Sequence, residues 1–214
     1  MFILSQQNSV ANHFISELRD VHIQKDRRRF RQNMTRLGQM LAYELSKTLP
    51  YKNYNITTPL GTAEMNLITE QPVLATILRA GLPLYDGFLD VFDKAESAFI
   101  GAYRGGYQAD SSFDIELHYV TTPNLEGKTL ILIDPMLATG KSFLKSYKSL
   151  LKYGNPSKVH IVAAIGSKQG VNFVEENLPE AHIWLGDLDE ALSPKSYIVP
   201  GLGDAGDLAF GVKM

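Results

Sequence analysis

Asp134 follows four consecutive aliphatic residues, Leu130-Ile131-Leu132-Ile133, and after Pro135-Met136-Leu137 comes Ala138-Thr139-Gly140-Lys141-Ser142. An acid, a glycine and hydroxyls at this spacing suit a ligand carrying both a phosphate and a ribose. A carboxylate can hold sugar hydroxyls or sit near a metal. Free backbone N–H groups at a helix start, reinforced by the helix dipole, form an anion site. Two elements must position these groups. The aliphatic run reads as a strand buried on both faces, as in a parallel sheet covered by helices. Behind the loop, Phe143, Leu144, Tyr147, Leu150 and Leu151 recur at helical spacing.

Gly140-Lys141-Ser142 invites comparison with a nucleotide-binding Walker loop. That motif needs a glycine five positions before Gly140, where this sequence has Pro135. Arg79 and Arg104 are the other candidate ligand groups. Pro72 to Leu82 reads as a buried strand that delivers Arg79 and Gly81 at its end, with a helix from Pro83 to about Phe92. Ser97 to Ala102 reads as a strand ending in Tyr103-Arg104. In an open α/β sheet the loops at the carboxyl ends of strands line the ligand crevice, so both guanidinium groups fall beside Asp134 and suit an anion. The third candidate region is Tyr197 to Asp207, where three glycines and two acids let the backbone approach a ligand closely. It lacks the length and spaced oxygen ligands of a calcium loop.

The remaining elements alternate in the same sense. Helices are predicted over Asn8 to Val21 and Asp26 to Leu49, the second with Phe30, Met34, Leu37, Leu41 and Leu45 inward. Tyr54 to Thr58 and Thr62 to Ile68 read as a hairpin across Pro59-Leu60-Gly61. Gly105 to Ser112 breaks the strand pattern and Phe113 to Val120 resumes it, which predicts a flexible β-hairpin arm. Lys158 to Gly166 reads as a strand, Lys168 to Asn177 as a helix and His182 to Leu185 as a short strand. The fold class is therefore α/β, a mostly parallel sheet flanked by helices, with residues 1–214 as a single domain.

Composition narrows the function. Of 214 residues, 44% are hydrophobic and 21% charged, ordinary values for a globular chain. A net charge of -2 gives no global attraction to nucleic acid or acidic membranes. The run Lys25 to Arg31 is basic, but the rest of the chain is not, which favours a solvated helix face or a subunit contact. Without cysteine there is no disulfide framework, no thiolate metal site and no thiol nucleophile, in keeping with a cytoplasmic location. Five scattered histidines lack ligand spacing. No signal-like N-terminus and no apolar run of about 20 residues is present, so neither secretion nor membrane insertion is expected.

Asp134-Pro135-Met136-Leu137-Ala138-Thr139-Gly140, Ile77 to Leu82, Tyr103-Arg104 and Pro200-Gly201-Leu202-Gly203-Asp204-Ala205-Gly206-Asp207 occur in the order and spacing of uracil phosphoribosyltransferases, and the chain resembles that family over nearly its full length. The resemblance implies a type I phosphoribosyltransferase fold. It also implies transfer of ribose 5-phosphate from phosphoribosyl diphosphate to uracil in pyrimidine salvage, giving UMP and diphosphate. On that pattern Ala138 to Ser142 would hold the 5′-phosphate, Asp134 the ribose hydroxyls, and Met136 and Leu137 would also bind phosphoribosyl diphosphate. Arg79 and Arg104 would hold the diphosphate, with Mg²⁺ bound through the substrate rather than by a protein cage. Ile198, Gly203 and Ala205 would contact uracil, with Asp204 between base and ribose. Asp134, Arg104 and Asp204 are then the catalytic candidates, and the protein is expected to be a homo-oligomer, a dimer or tetramer. Three departures stand out: Lys141 replaces a usual second glycine, Leu208 a usual basic residue, and the arm region shares little detail with the family. An ordinary negative φ at the first turn of a helix is expected for Lys141. The rival readings are a UMP-sensing RNA-binding regulator on the same fold and a phosphoribosyltransferase for another base.

Overall fold

Leu130, Ile131, Leu132 and Ile133 are fully buried and divide between two cores: Leu130 and Leu132 face one layer of helices, Ile131 and Ile133 the other. Alternate side chains of a strand point to opposite faces, so only a strand covered on both sides buries all four. The computed structural model describes the backbone of residues 1–107 and 113–213, and side chains outside residues 102–117.

The strands of the main sheet are β1 (Phe2–Ile3), β4 (Val73–Leu78), β5 (Glu96–Tyr107), β6 (Phe113–Thr121), β7 (Thr129–Ile133), β8 (Met136–Leu137), β9 (Lys158–Ser167) and β10 (Ala181–Asp189). They lie in the order β1-β10-β9-β7-β4-β5-β6, with β8 continuing beside β9; every pairing is parallel except β5 with β6. β2 (Tyr51–Thr58) and β3 (Gly61–Ile68) form a separate hairpin, as the sequence predicts, and β11 (Ala191–Leu192) pairs β12 (Ile198–Val199).

On one face lie α1 (Ala11–Arg19), α2 (Arg27–Ser46), α3 (Leu82–Val91) and α6 (Ala205–Phe210); on the other lie α4 (Lys141–Leu150) and α5 (Lys168–Asn177). Phe30, Met34, Leu37, Leu41 and Leu45 of α2 are all buried, each contributing roughly 1.5–3 kcal/mol of burial. The Asp26 side chain caps that helix by accepting from the Arg28 and Arg29 amides at 2.9 and 3.1 Å. Gly38 and Gly87 let α2 and α3 touch: a Cβ on Gly87 would lie 2.1 Å from the Thr35 carbonyl oxygen.

Two sequence expectations need correction. β5 does not end at Arg104 but runs to Tyr107, because register shifts after Gly101 and Arg104 absorb the glycines without ending the pairing. Its antiparallel pairing with β6 makes the predicted arm a hairpin, while the tip at 108–112 and the Arg104 side chain lie outside the described residues. β10 runs four residues past Leu185, in parallel register with β9 as far as Asp189 opposite Ser167. Gly186, Asp187 and Asp189 are poor strand formers, yet Gly186 is required there, since a Cβ would meet the Ala164 carbonyl at 2.4 Å.

Candidate active site

The carboxyl ends of β4, β5 and β7 point the same way. Thr76 pairs with Ile133 and Leu78 with Gly101, so Asp134 and Arg79 leave the sheet along one edge, whereas the Arg104 backbone stays within the sheet, paired with Ile115. Asp134 is half-buried, and its backbone N–H donates to the Val162 carbonyl at 3.1 Å. The chain then drops back onto β9: the Ile165 N–H donates to the Pro135 carbonyl at 3.0 Å, and Met136 and Leu137 pair with Ile165 and Gly166. Both ends of the turn are thus tied to the sheet before the helix begins.

Gly140 caps α4 with φ +78°, and no side chain caps that end. A Cβ there would lie 2.7 Å from the Phe173 ring and 3.1 Å from the Gly170 carbonyl, so both conformation and space demand glycine. Lys141 is the first residue of the helix, exposed and with the ordinary negative φ expected of it, since Ser196 is the one non-glycine residue at positive φ among those described. The amides of the first helical turn therefore open beside Thr139 and Ser142, an anion-binding arrangement.

Residues not singled out in the sequence hold this turn from behind. Ser167, fully buried at the end of β9, donates its hydroxyl to the Ala138 carbonyl at 2.6 Å and accepts the Gly170 N–H at 2.9 Å, capping α5. A Cβ on Gly170 would meet the Ala138 carbonyl at 2.3 Å, so α5 packs its backbone directly on the loop. A serine immediately before the helical pattern that starts at Lys168 was the available signal for this cap.

The C-terminal loop meets the same edge from the other side. Arg79 donates to Asp207 at 3.1 Å and to the Gly211 carbonyl at 2.7 Å, bringing two separately predicted motifs together. Asp204 caps α6 by accepting the Asp207 N–H at 3.0 Å, and Lys213 reaches its other oxygen at 3.2 Å. Burial pushes the Asp204 carboxyl up, but the Asp207 and Gly206 amides and the Lys213 ammonium outweigh it and hold its pKa below the usual range. Ile198 and Ala205 are buried beneath the loop, while Gly203 sits at φ +94°. Asp204, Asp207, Gly203 and Leu208 line a cleft of about 340 Å³ with Gln24, Lys25 and Arg27.

The basic run opens elsewhere in part. Arg29 pairs with Glu17 at 2.8 Å, and Arg31 donates to the Ala209 carbonyl at 2.6 Å, while Arg28, Arg31 and Arg36 line a separate open cleft. Among the described residues, no three His, Cys, Asp or Glu side chains come together as a metal cage. No helix among them is long and apolar enough to cross a membrane.

The sequence matches the family model for uracil phosphoribosyltransferase over residues 5–212. A uracil phosphoribosyltransferase of Porphyromonas gingivalis is 48% identical over 212 residues, spanning 99% of this chain and 98% of the relative. One from Thermococcus gammatolerans is 36% identical over 203 residues, 94% of this chain and 88% of that protein. Among solved structures, a protein of Aquifex aeolicus superposes with a TM-score of 0.85 at 32% identity, covering 96% of each chain. A match this continuous along the whole sequence shows that the chain belongs to the uracil phosphoribosyltransferase family.

Proposed function

We propose that this protein transfers ribose 5-phosphate from phosphoribosyl diphosphate to N1 of uracil, releasing UMP and diphosphate. The observation that carries the assignment of roles is the convergence of the uncapped start of α4, Asp134 and the Arg79–Asp207 contact at one sheet edge. In this reading the amides of Ala138 to Ser142 take the 5′-phosphate, and Met136 and Leu137 fix the approach of that loop. Asp134 holds the ribose hydroxyls. Arg79, after exchanging Asp207 for ligand, and Arg104 take the diphosphate.

Breaking the bond from C1′ to the diphosphate oxygen leaves positive charge on the sugar and negative charge on the leaving group. Fixed carboxylates at Asp134 and Asp204 stabilise the first, and guanidinium groups the second. Asp204 is suited to this because its surroundings keep it ionised. The donor set suits Mg²⁺ carried on the diphosphate rather than caged by side chains, and Mg²⁺ bound there would neutralise leaving-group charge. Backbone groups of Ile198, Gly203 and Ala205 complement the O2, N3–H and O4 pattern of uracil. Residues 1–214 act as one catalytic unit in the cytoplasm.

The same reading includes a homo-oligomer. Cross-strand register in the β2–β3 hairpin puts Tyr54, Ile56, Ala63, Met65 and Leu67 on one face, and Ile56 and Met65 are 39% and 52% exposed. A two-stranded hairpin with an uncovered apolar face is marginal alone, and a second copy of the chain would cover it. Sedimentation of the wild type and of Met65→Glu checks this: a dimer or tetramer is expected, weakened by the charge.

The function itself is tested by incubating the protein with phosphoribosyl diphosphate, Mg²⁺ and each of uracil, cytosine, hypoxanthine and orotate. UMP formation from uracil alone is expected. Cytosine reverses the hydrogen-bonding pattern at N3 and C4 and would leave buried groups mismatched, at about 1–3 kcal/mol for each unsatisfied group. Efficient turnover of cytosine or hypoxanthine would overturn the assignment of the base.

A further inference from the structure

We infer that Arg19 and Asp189, neither of which belongs to any motif of the site, form a charged clamp that positions the base-recognition loop by gripping both polar groups of Gly201. The inference rests on the reading of residues 198–205 as the uracil site. Arg19 ends α1 and Asp189 ends β10, 170 residues apart. Asp189 Oδ2 accepts the Gly201 N–H at 2.9 Å, and Arg19 Nη1 donates to the Gly201 carbonyl at 3.0 Å. Arg19 and Asp189 are themselves joined in bidentate geometry, at 2.8 Å through each nitrogen. Arg19 Nη2 also reaches Asp187 at 2.7 Å, and the other Asp187 oxygen accepts the Ser5 hydroxyl at 2.6 Å.

The contacts close a ring. Nη1 of Arg19 and Oδ2 of Asp189 each serve one another and one end of Gly201, so both torsions of that residue are fixed. Gly201 is the pivot of the loop, at φ +59° and so tightly turned that a Cβ would lie 2.1 Å from the Ile198 carbonyl. Two residues later come Gly203 and Asp204. Asp189 is only 7% exposed. For stability alone, well-packed apolar residues serve as well as a buried ion pair. What the planar fork of arginine adds is direction: it sets where the following amides point. A backbone that reads a base by its own N–H and C=O groups has no side chain to adjust, so its position must come from a support of this kind.

The test is steady-state kinetics of Arg19→Lys and Asp189→Asn, milder than alanine because neither leaves the buried partner wholly without a polar neighbour. Lysine keeps the charge but cannot hold Asp189 in bidentate fashion and Gly201 together. Both variants should raise KM for uracil about tenfold, as for a displaced reading frame in the site, with KM for phosphoribosyl diphosphate unchanged. Glu17→Gln, on the same helix but contacting Arg29 and Asn33, should lower thermal stability without moving either KM. Arg19→Lys that melts earlier yet keeps the wild-type KM for uracil overturns the clamp, as does an equal rise in both KM values. Amide exchange of the wild type with UMP separates the two levels of the argument. Protection of residues 201–206 with no kinetic effect of Arg19→Lys sinks the clamp alone, whereas absence of protection sinks the base site on which it rests.

Discussion

The two loops that face each other across the site are held in opposite ways. Residues 134–142 are fixed by backbone: pairing with β9, a glycine at positive φ, and α5 pressed against the Ala138 carbonyl. Residues 198–199 pair with β11, and beyond them the loop to residue 207 is fixed by charge, through Arg19, Asp189, Arg79 and Lys213. The difference follows from what each loop is given to hold in the proposed reaction. A phosphate is a symmetric anion that amides and a helix start can bind with no side chain. A planar base must be met at fixed angles, so its loop needs an external reference.

Asp134 is the sharpest point of the first loop, where a backbone frame presents one side-chain charge. Asp134→Asn preserves shape but turns one acceptor oxygen into a donor and removes the charge that the proposed reaction places beside the developing cation. Turnover at saturating substrate should fall by about 10²–10³, with far-UV circular dichroism unchanged. A rate like that of the wild type would leave Asp134 only a structural part.

Gly140→Ala attacks the frame itself. An alanine at φ +78° costs about 1–2 kcal/mol in backbone strain, and its methyl group must displace the Phe173 ring. Lower stability by urea titration is expected, together with a higher KM for phosphoribosyl diphosphate and an unchanged KM for uracil. If the uracil KM rises instead, the two loops are not independently supported and the contrast between them fails.

Ser167→Ala removes the cap of α5 and the bond to Ala138 in one step, worth about 1 kcal/mol of stability by the usual cost of a lost cap. Here too the diphosphate substrate, not uracil, should register the change. Thermal melts and paired KM measurements decide it.

How far these two loops were legible in the sequence follows from the same contrast. The strand of four aliphatic residues, the turn and the helix behind it are contiguous, so period and residue type announce them together. Lys141 lands at the helix start with negative φ because the demand for positive φ falls on Gly140, one residue earlier. The base loop could be recognised by its glycines and acids, yet not its anchors: Arg79 finds Asp207 128 residues away and Arg19 finds Asp189 170 away. β10 reads as too short for that same reason. Its last residues are chosen for their partners, Asp187 for Ser5 and Arg19, Asp189 for Arg19 and Gly201, and not for strand propensity. β5 outruns its predicted end because bulges are invisible to a period-two pattern.

The smallest expected effect tests whether the phosphate loop depends on side-chain charge at all. Lys141 stands exposed at the first turn of α4, where in the proposed reading its backbone N–H would belong to the anion site and its ammonium would add a positive charge nearby. A frame built from amides should barely need it. Lys141→Gly should weaken phosphoribosyl diphosphate binding by about 0.3–1 kcal/mol, the range for an exposed charge near a helix end. Part of that loss comes from the looser glycine backbone, which salt does not affect. The charge component shrinks as ionic strength rises, since the Debye length falls from about 10 Å at 0.1 M to about 3 Å at 1 M. Binding measured on both proteins at low and high salt separates the two. A deficit of several kcal/mol that persists at high salt would mean that the ammonium packs directly against the ligand, and the phosphate loop would then be held and charged like its neighbour across the site.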